Sequence, residues 1–183
     1  AQANRLLAVA TPLGPDVLLL DGLSGTEAVS ELFAFELDLL ADGASQIPFD
    51  QILGQPATVS VLQTDGEVRY VNGIVSRFAQ GAEARAALGD VTFIRYRATL
   101  VPKFWLLTRS FRSRIFQQIT VPDILKKVLA GLDVSWQLQG EYKPRDYCAQ
   151  YRETDFAFAS RLMEEEGIFY FFKHADGSHQ MVV

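Results

Sequence analysis

Residues 57–71 read Ala57-Thr58-Val59-Ser60-Val61-Leu62-Gln63-Thr64-Asp65-Gly66-Glu67-Val68-Arg69-Tyr70-Val71. Ala57, Val59 and Val61 alternate with Thr58 and Ser60, the period of a strand with one covered face, and the odd positions are expected inside. Asp65-Gly66 supplies the positive backbone angles of a tight hairpin, so Val68 to Phe78 is expected to be the return strand. Gly73 interrupts its alternation and predicts a bulge.

The same period extends outward on both sides. Phe33, Phe35, Leu37 and Leu39 form one apolar face while Glu36 and Asp38 point the other way. After an Ala/Gly-rich excursion at Gly81–Gly89, Ile94, Tyr96, Ala98 and Leu100 alternate with Arg95, Arg97 and Thr99, which sends both arginines out of one face. Gly22-Leu23-Ser24-Gly25 reads as a turn. Short strands with close turns imply a barrel or sandwich.

Beyond Pro102 the texture changes. Thr120-Val121-Pro122-Asp123 is a capped helix start and Gly131 a stop, with Ile124, Leu125, Val128 and Leu129 as the apolar stripe. A second helix is expected from near Thr154 to Gly167, with Phe156, Ala159 and Met163 in line and Phe158 and Leu162 beside them. Ile168–Phe172 and His179–Val183 then read as two strands joined by Asp176-Gly177. The fold class is mainly β with α: a first barrel-like domain over residues 1–101, and a helical connector with the truncated start of a second over 102–183.

The 183 residues are 49% apolar and 21% charged, a globular composition. One cysteine, Cys148, excludes an intrachain disulfide framework. No stretch has the length of a membrane span or the pattern of a signal peptide, so no stable membrane insertion is expected, and the lone cysteine suits assembly in a reducing compartment. The net charge of -5 hides segregation: residues 1–90 carry 4 basic and 12 acidic side chains, 91–122 carry 6 basic and none acidic, and 123–183 carry 7 and 10. A basic block of this kind suits an anionic partner or a face compensated by nearby carboxylates.

Candidate chemistry is sparse. Glu164, Glu165 and Glu166 diverge by about 100° per residue on a helix, so they do not converge as glycosidic acid and base must. His174 and His179 flank one turn, but two imidazoles fall short of a catalytic zinc set. No nucleophile elbow, phosphate loop or zinc-protease helix pattern occurs. In the basic block Phe93, Tyr96, Phe104, Trp105, Phe111 and Phe116 interleave with arginines, as in single-strand nucleic-acid binders, yet Tyr96 lies on the face opposite Arg95 and Arg97, and core use of the aromatics is the preferred reading.

Taken in order, Leu23-Ser24-Gly25-Thr26-Glu27, Ser30-Glu31-Leu32-Phe33-Ala34-Phe35, Leu53-Gly54-Gln55-Pro56, Gly73-Ile74-Val75, Val101-Pro102-Lys103-Phe104-Trp105-Leu106-Leu107, Arg114-Ile115-Phe116-Gln117, Gln150-Tyr151-Arg152-Glu153-Thr154-Asp155 and Arg161 to Phe172 resemble the N-terminal region of VgrG, the spike protein family of type VI secretion systems. The resemblance implies a fold like the baseplate hub of contractile-tailed phages, with two barrel-like domains per subunit forming a pseudo-sixfold homotrimer. It also implies, as partners, a hexameric Hcp-like tube and baseplate components, and a PAAR protein or effector reached through later parts of a longer chain that the machine exports. It implies no catalytic residue, cofactor or metal, and no nucleic-acid ligand. Arg95, Arg97, Arg112 and Arg114 are the candidate interface residues, with Arg114 alternatively an internal structural arginine. Apolar rows such as Phe169 and Phe171 predict self-association or poor order after Gly167. Two other readings stay open: a barrel-type module for single-stranded nucleic acid or another anionic ligand, and a carbohydrate-acting enzyme using Glu164 or Glu165.

Overall fold

The computed structural model describes residues 2, 5–85 and 92–183. The chain divides into two compact units. One holds Ala1–Glu27, Phe33–Pro102 and His174–His179; the other holds Ala28–Leu32, Lys103–Lys173 and Gln180–Val183.

The first unit is a six-stranded antiparallel sheet built from β1 (Leu7–Ala10), β2 (Leu19–Thr26), β3 (Ala34–Asp42), β4 (Pro56–Leu62), β5 (Val68–Arg85) and β6 (Thr92–Val101), in the order β1-β4-β5-β6-β3-β2. In β3, Phe35, Leu37, Leu39 and Ala41 are buried while Glu36 and Asp38 face out. Burying each large apolar side chain contributes about 1.5–3 kcal/mol. Phe78 and Tyr96 stack with ring centroids 5.2 Å apart. The β4–β5 hairpin turns at Gly66, whose φ is 86°.

The sheet curls, and one side chain joins its two edge strands. Gln2, 7% exposed, accepts the Val9 N–H of β1 at 2.9 Å and the Leu20 N–H of β2 at 3.2 Å on its side-chain oxygen. Its amide nitrogen donates to the carbonyls of Val9 at 3.2 Å and Leu18 at 3.0 Å. A carboxamide has the donor and acceptor of a peptide group, so it substitutes for a ladder rung.

Several expectations are corrected. Gly73 makes no bulge: it pairs in register with Ala57, and a Cβ there would lie 2.6 Å from the Val101 carbonyl oxygen. The register shifts of β5 fall at Val75/Arg77 and Gln80/Glu83, against β6. Gly22–Gly25 is no turn but part of β2, where Gly25 admits the backbone of Ala34 at a distance no side chain allows. Thr58 is buried, because its hydroxyl accepts an Asn72 amide hydrogen at 2.8 Å. The Gly81–Gly89 excursion is strand as far as Arg85, and its residues 86–89 lie outside the described residues.

The second unit contains β7 (Phe111–Phe116), α1 (Val121–Val128), β8 (Val134–Ser135), β9 (Cys148–Thr154) and α2 (Asp155–Glu165). Strands β10 (Phe171–Ala175) and β11 (Ser178–Val182) follow, so the first of this pair lies three residues later than the apolar run predicts. Thr120 and Thr154 cap the two helices by accepting the N–H groups of Asp123 and Ala157. Gly167, with φ 67°, ends α2: its N–H reaches the Glu164 carbonyl and that of Ile168 the Met163 carbonyl, a two-bond C-terminal cap. Ile124, Leu125, Phe158, Ala159 and Leu162 are fully buried. Strands β7 and β9 form an antiparallel ribbon, and β11 lies between β10 and β8.

Candidate interaction surfaces

The outward face of β3 and β6 carries charge, and it is neutralised within the sheet. The registers place Asp38 opposite Arg97 and Glu36 opposite Thr99. Arg97 Nε meets Asp38 at 3.2 Å, Arg95 meets Asp21 of β2 at 3.7 Å, and the Thr99 hydroxyl donates to Glu36 at 2.8 Å. The arginine side chains remain 57% and 79% exposed, so these pairs contribute little to stability and can exchange partners. Tyr96 between them is buried, so it offers no stacking surface beside the two arginines.

Arg112 and Arg114 have a different assignment. Both reach Asp155, the first residue of α2, which is 3% exposed: Arg114 at 2.6 Å and Arg112 at 3.2 Å. Ser110 and Gln150 donate to the same carboxylate at 2.7 and 2.9 Å. Burial pushes the Asp155 carboxyl up, and Gln150, Ser110 and the two arginines more than offset it, so the group is held below the usual carboxylate range. Its position in the first helical turn also suits the helix dipole. The Arg114 side chain, 27% exposed, is bound to this buried carboxylate.

Two of the three glutamates, Glu165 and Glu166, are bound to arginine. Arg145 binds Glu165 at 2.6 Å and Glu166 at 2.5 Å, and Arg161 adds Glu165 at 3.1 Å and Glu153 at 2.7 Å. The hydrogen bond from Arg145 is the main cause that lowers the Glu165 carboxyl, against opposing burial. A glycosidic acid needs the opposite shift. These arginines also offset the unfavourable placement of acids at a helix C-terminus.

His174 and His179 both serve Asn72. The last β5–β6 pairing near this end is Ile74 with Val101, so at Asn72 strand β5 has run past its neighbour. The Asn72 N–H donates to His174 Nδ1 at 3.1 Å, His174 Nε2 faces Glu27 at 2.8 Å, and His179 Nδ1 lies 2.7 Å from the Asn72 side-chain oxygen. The imidazoles complete a strand edge. Among the described residues no group of three His, Cys, Asp or Glu side chains converges as a metal set.

One surface escaped the sequence reading. In β7 the arginines turn inward to Asp155, which forces Phe111, Ser113 and Ile115 outward, and the register sets Ala149 opposite Ile115. Phe111, Ile115, Tyr147 and Tyr151 are 70%, 62%, 58% and 70% exposed. Phe111, expected in the core, is at the surface because burying Asp155 required the opposite face. The alternation of Phe111 and Ile115 with Arg112 and Arg114 was the available signal.

A curled antiparallel sheet linked to a helix-bearing unit is an architecture shared with phage tail proteins. The chain belongs to the phage tail baseplate hub (GPD) family, which its residues 26–183 match. It is 44% identical to the type VI secretion system spike proteins VgrG1a and VgrG1c of Pseudomonas aeruginosa, over 100% of this chain and 28% and 25% of those proteins. The chain thus spans about a quarter of the length of the curated relatives it matches. Among solved structures it resembles the Escherichia coli c3393 protein, described as a component of the type VI secretion system with structural similarity to the T4 bacteriophage tail proteins gp27 and gp5. That likeness has a TM-score of 0.76 and 26% identity, covering 96% of this chain and 48% of the other. The 43 kDa tail protein of prophage MuSo2 from Shewanella oneidensis shares the fold, with a TM-score of 0.59 and 16% identity over 96% of this chain and 53% of that one.

Proposed function

We propose that this chain is the hub portion of a type VI secretion spike: a non-enzymatic body that assembles with copies of itself, docks on a hexameric Hcp-like tube and transmits thrust to a needle carrying a PAAR protein or effector. The observation that carries this reading is the 44% identity to VgrG1a along the whole chain. The chemistry agrees with it, since Asp155, Glu165 and Glu166 are bound to arginines and the polar network at Asn72 braces a strand edge. Such work needs packed interfaces and no turnover.

Arg95 and Arg97 are the proposed tube contacts, because their partners are exposed and weakly held. The test is retention of purified tube rings on immobilised protein. Rings are expected to be retained, and the double change Arg95→Glu with Arg97→Glu is expected to release them. Retention unaltered by charge reversal removes the two arginines from the interface. No retention by the unaltered, folded protein contradicts the docking role.

A further inference from the structure

We infer that His174 is a proton-adaptive pin: its Nδ1 accepts the Asn72 N–H when the ring is neutral and donates to the Asn72 carbonyl when the ring is charged. The turn of the β10–β11 hairpin thereby stays docked on β5 as pH falls. The inference does not depend on the spike reading. Its parts, Glu27, Phe33, Asn72, His174 and His179, all belong to the first unit.

The backbone sets up the alternation. In an antiparallel ladder the N–H and C=O of one residue point to the same side, where a single partner residue meets both. At Asn72 the neighbouring strand does not supply that partner, because β5 and β6 pair only from Ile74 and Val101 onward. One ring nitrogen takes the position: His174 Nδ1 lies 3.1 Å from the Asn72 backbone nitrogen and 3.2 Å from the Asn72 backbone oxygen. A backbone N–H only donates and a carbonyl only accepts, so the two groups call for opposite protonation states of Nδ1. Both are already within hydrogen-bond range, so the exchange needs no new docking position. The proton that drives it comes from solvent, and the one covalent bond formed is Nδ1–H.

The surroundings hold the ring in both states. His174 Nε2 faces Glu27, the residue after β2, at 2.8 Å, and the His174 side chain is 8% exposed. Nε2 carries a proton whether the ring is neutral or charged, so this contact persists, as a hydrogen bond to a carboxylate in one case and an ion pair in the other. The added charge therefore meets a counter-ion at the far end of the ring. Phe33 packs against His174 with ring centres 4.9 Å apart. His179 of β11 is the other titratable group facing His174, with ring centres 6.4 Å apart, while Lys173 and Asp176 of the hairpin itself are exposed. The His179 Nδ1 lies 2.7 Å from the Asn72 side-chain oxygen, and the Asn72 amide donates to the Thr58 hydroxyl at 2.8 Å. That orientation makes the oxygen an acceptor and the His179 Nδ1 a donor, so this ring has no partner exchange at Nδ1. A latch released by acid would set the charged ring against donors or cations. Here a carbonyl and a carboxylate flank it instead.

The experiment follows both ring nitrogens of His174 by NMR in the ¹³C,¹⁵N-labelled chain from about pH 8 to about pH 5, the range in which histidines change charge. At the upper end Nδ1 is expected to be unprotonated and coupled through the hydrogen bond to the Asn72 amide nitrogen. At the lower end both ring nitrogens are expected to be protonated, with that coupling replaced by one to the Asn72 carbonyl carbon. Cross-peaks between the Phe33 and His174 rings are expected to keep their intensity throughout. Glu27→Gln gives a second readout, because the amide oxygen still accepts the Nε2 proton but brings no charge. The ratio of its unfolding constant to that of the unaltered protein is expected to rise about threefold or more between the same limits. An Nδ1 in one protonation state throughout, loss of the Phe33 cross-peaks from the unaltered protein in mild acid, or a ratio that stays flat overturns the assignment.

Discussion

The side-chain oxygen of Gln2 accepts the backbone N–H of Leu20 at 3.2 Å, and the amide nitrogen of the same group donates to the carbonyl of Leu18 at 3.0 Å. With the matching pair of bonds to Val9, one carboxamide holds both edge strands of the curled sheet. An open edge is a template for unwanted pairing, and this contact closes the gap between the two.

Gln2→Ala leaves four backbone groups to find new partners. The expected loss is about 2–4 kcal/mol of stability, from the cost of unsatisfied buried groups, with faster amide exchange at Val9 and Leu20. Urea unfolding with exchange measured by NMR checks it. A loss under about 0.5 kcal/mol would show that water replaces the carboxamide.

At Asp155 the account predicts a pH dependence. Its folded-state value is depressed, so the stabilisation is complete above the unfolded value of about 3.9 and is lost as pH falls through the folded value. Asp155→Asn is expected to cost about 2–3 kcal/mol at pH 7, discounted from a fully buried pair because Arg112 is half exposed. Its stability should then fall less steeply than that of the unaltered protein between pH 5 and 3. Parallel curves for the two proteins would remove the arginine pairing from the stability of α2.

Gly73→Ala tests the close approach of β5 to the end of β6. The added methyl would lie 2.6 Å from a carbonyl oxygen and 2.9 Å from the Leu100 side chain. Overpacking of this order costs about 1–3 kcal/mol, read as a drop in Tm. A neutral outcome would mean that the strands separate freely there.

Arg145→Gln leaves Glu165 and Glu166 adjacent at the end of α2 without their shared partner. The pairs are partly exposed, so the expected loss is about 1 kcal/mol, and the difference from the unaltered protein should shrink as salt rises. Denaturation at low and high sodium chloride measures it, and a salt-independent difference would point to lost packing instead.

What was legible in the sequence was local. The Asp65-Gly66 turn, the face of Phe35, Leu37 and Leu39, and the caps at Thr120 and Thr154 follow from spacing of a few residues. Gln2 was not legible, because its partners are created by strands up to 18 residues away. Gly25 and Gly73 carry the same composition signal as turn and bulge glycines, and only the neighbouring backbone distinguishes them. In β7 the usual inside-out rule is inverted by one buried carboxylate, so the arginines read as surface groups were partly anchors, and the aromatic read as core was the surface.

The proposed role as the hub of a secretion spike is tested most directly by exchange. This chain replaces the matching quarter of VgrG1a in Pseudomonas aeruginosa, and the culture medium is assayed for the chimaeric spike. Export at a level comparable to the unaltered spike is predicted. A chimaera that is folded and abundant in cells yet never reaches the medium would contradict the account.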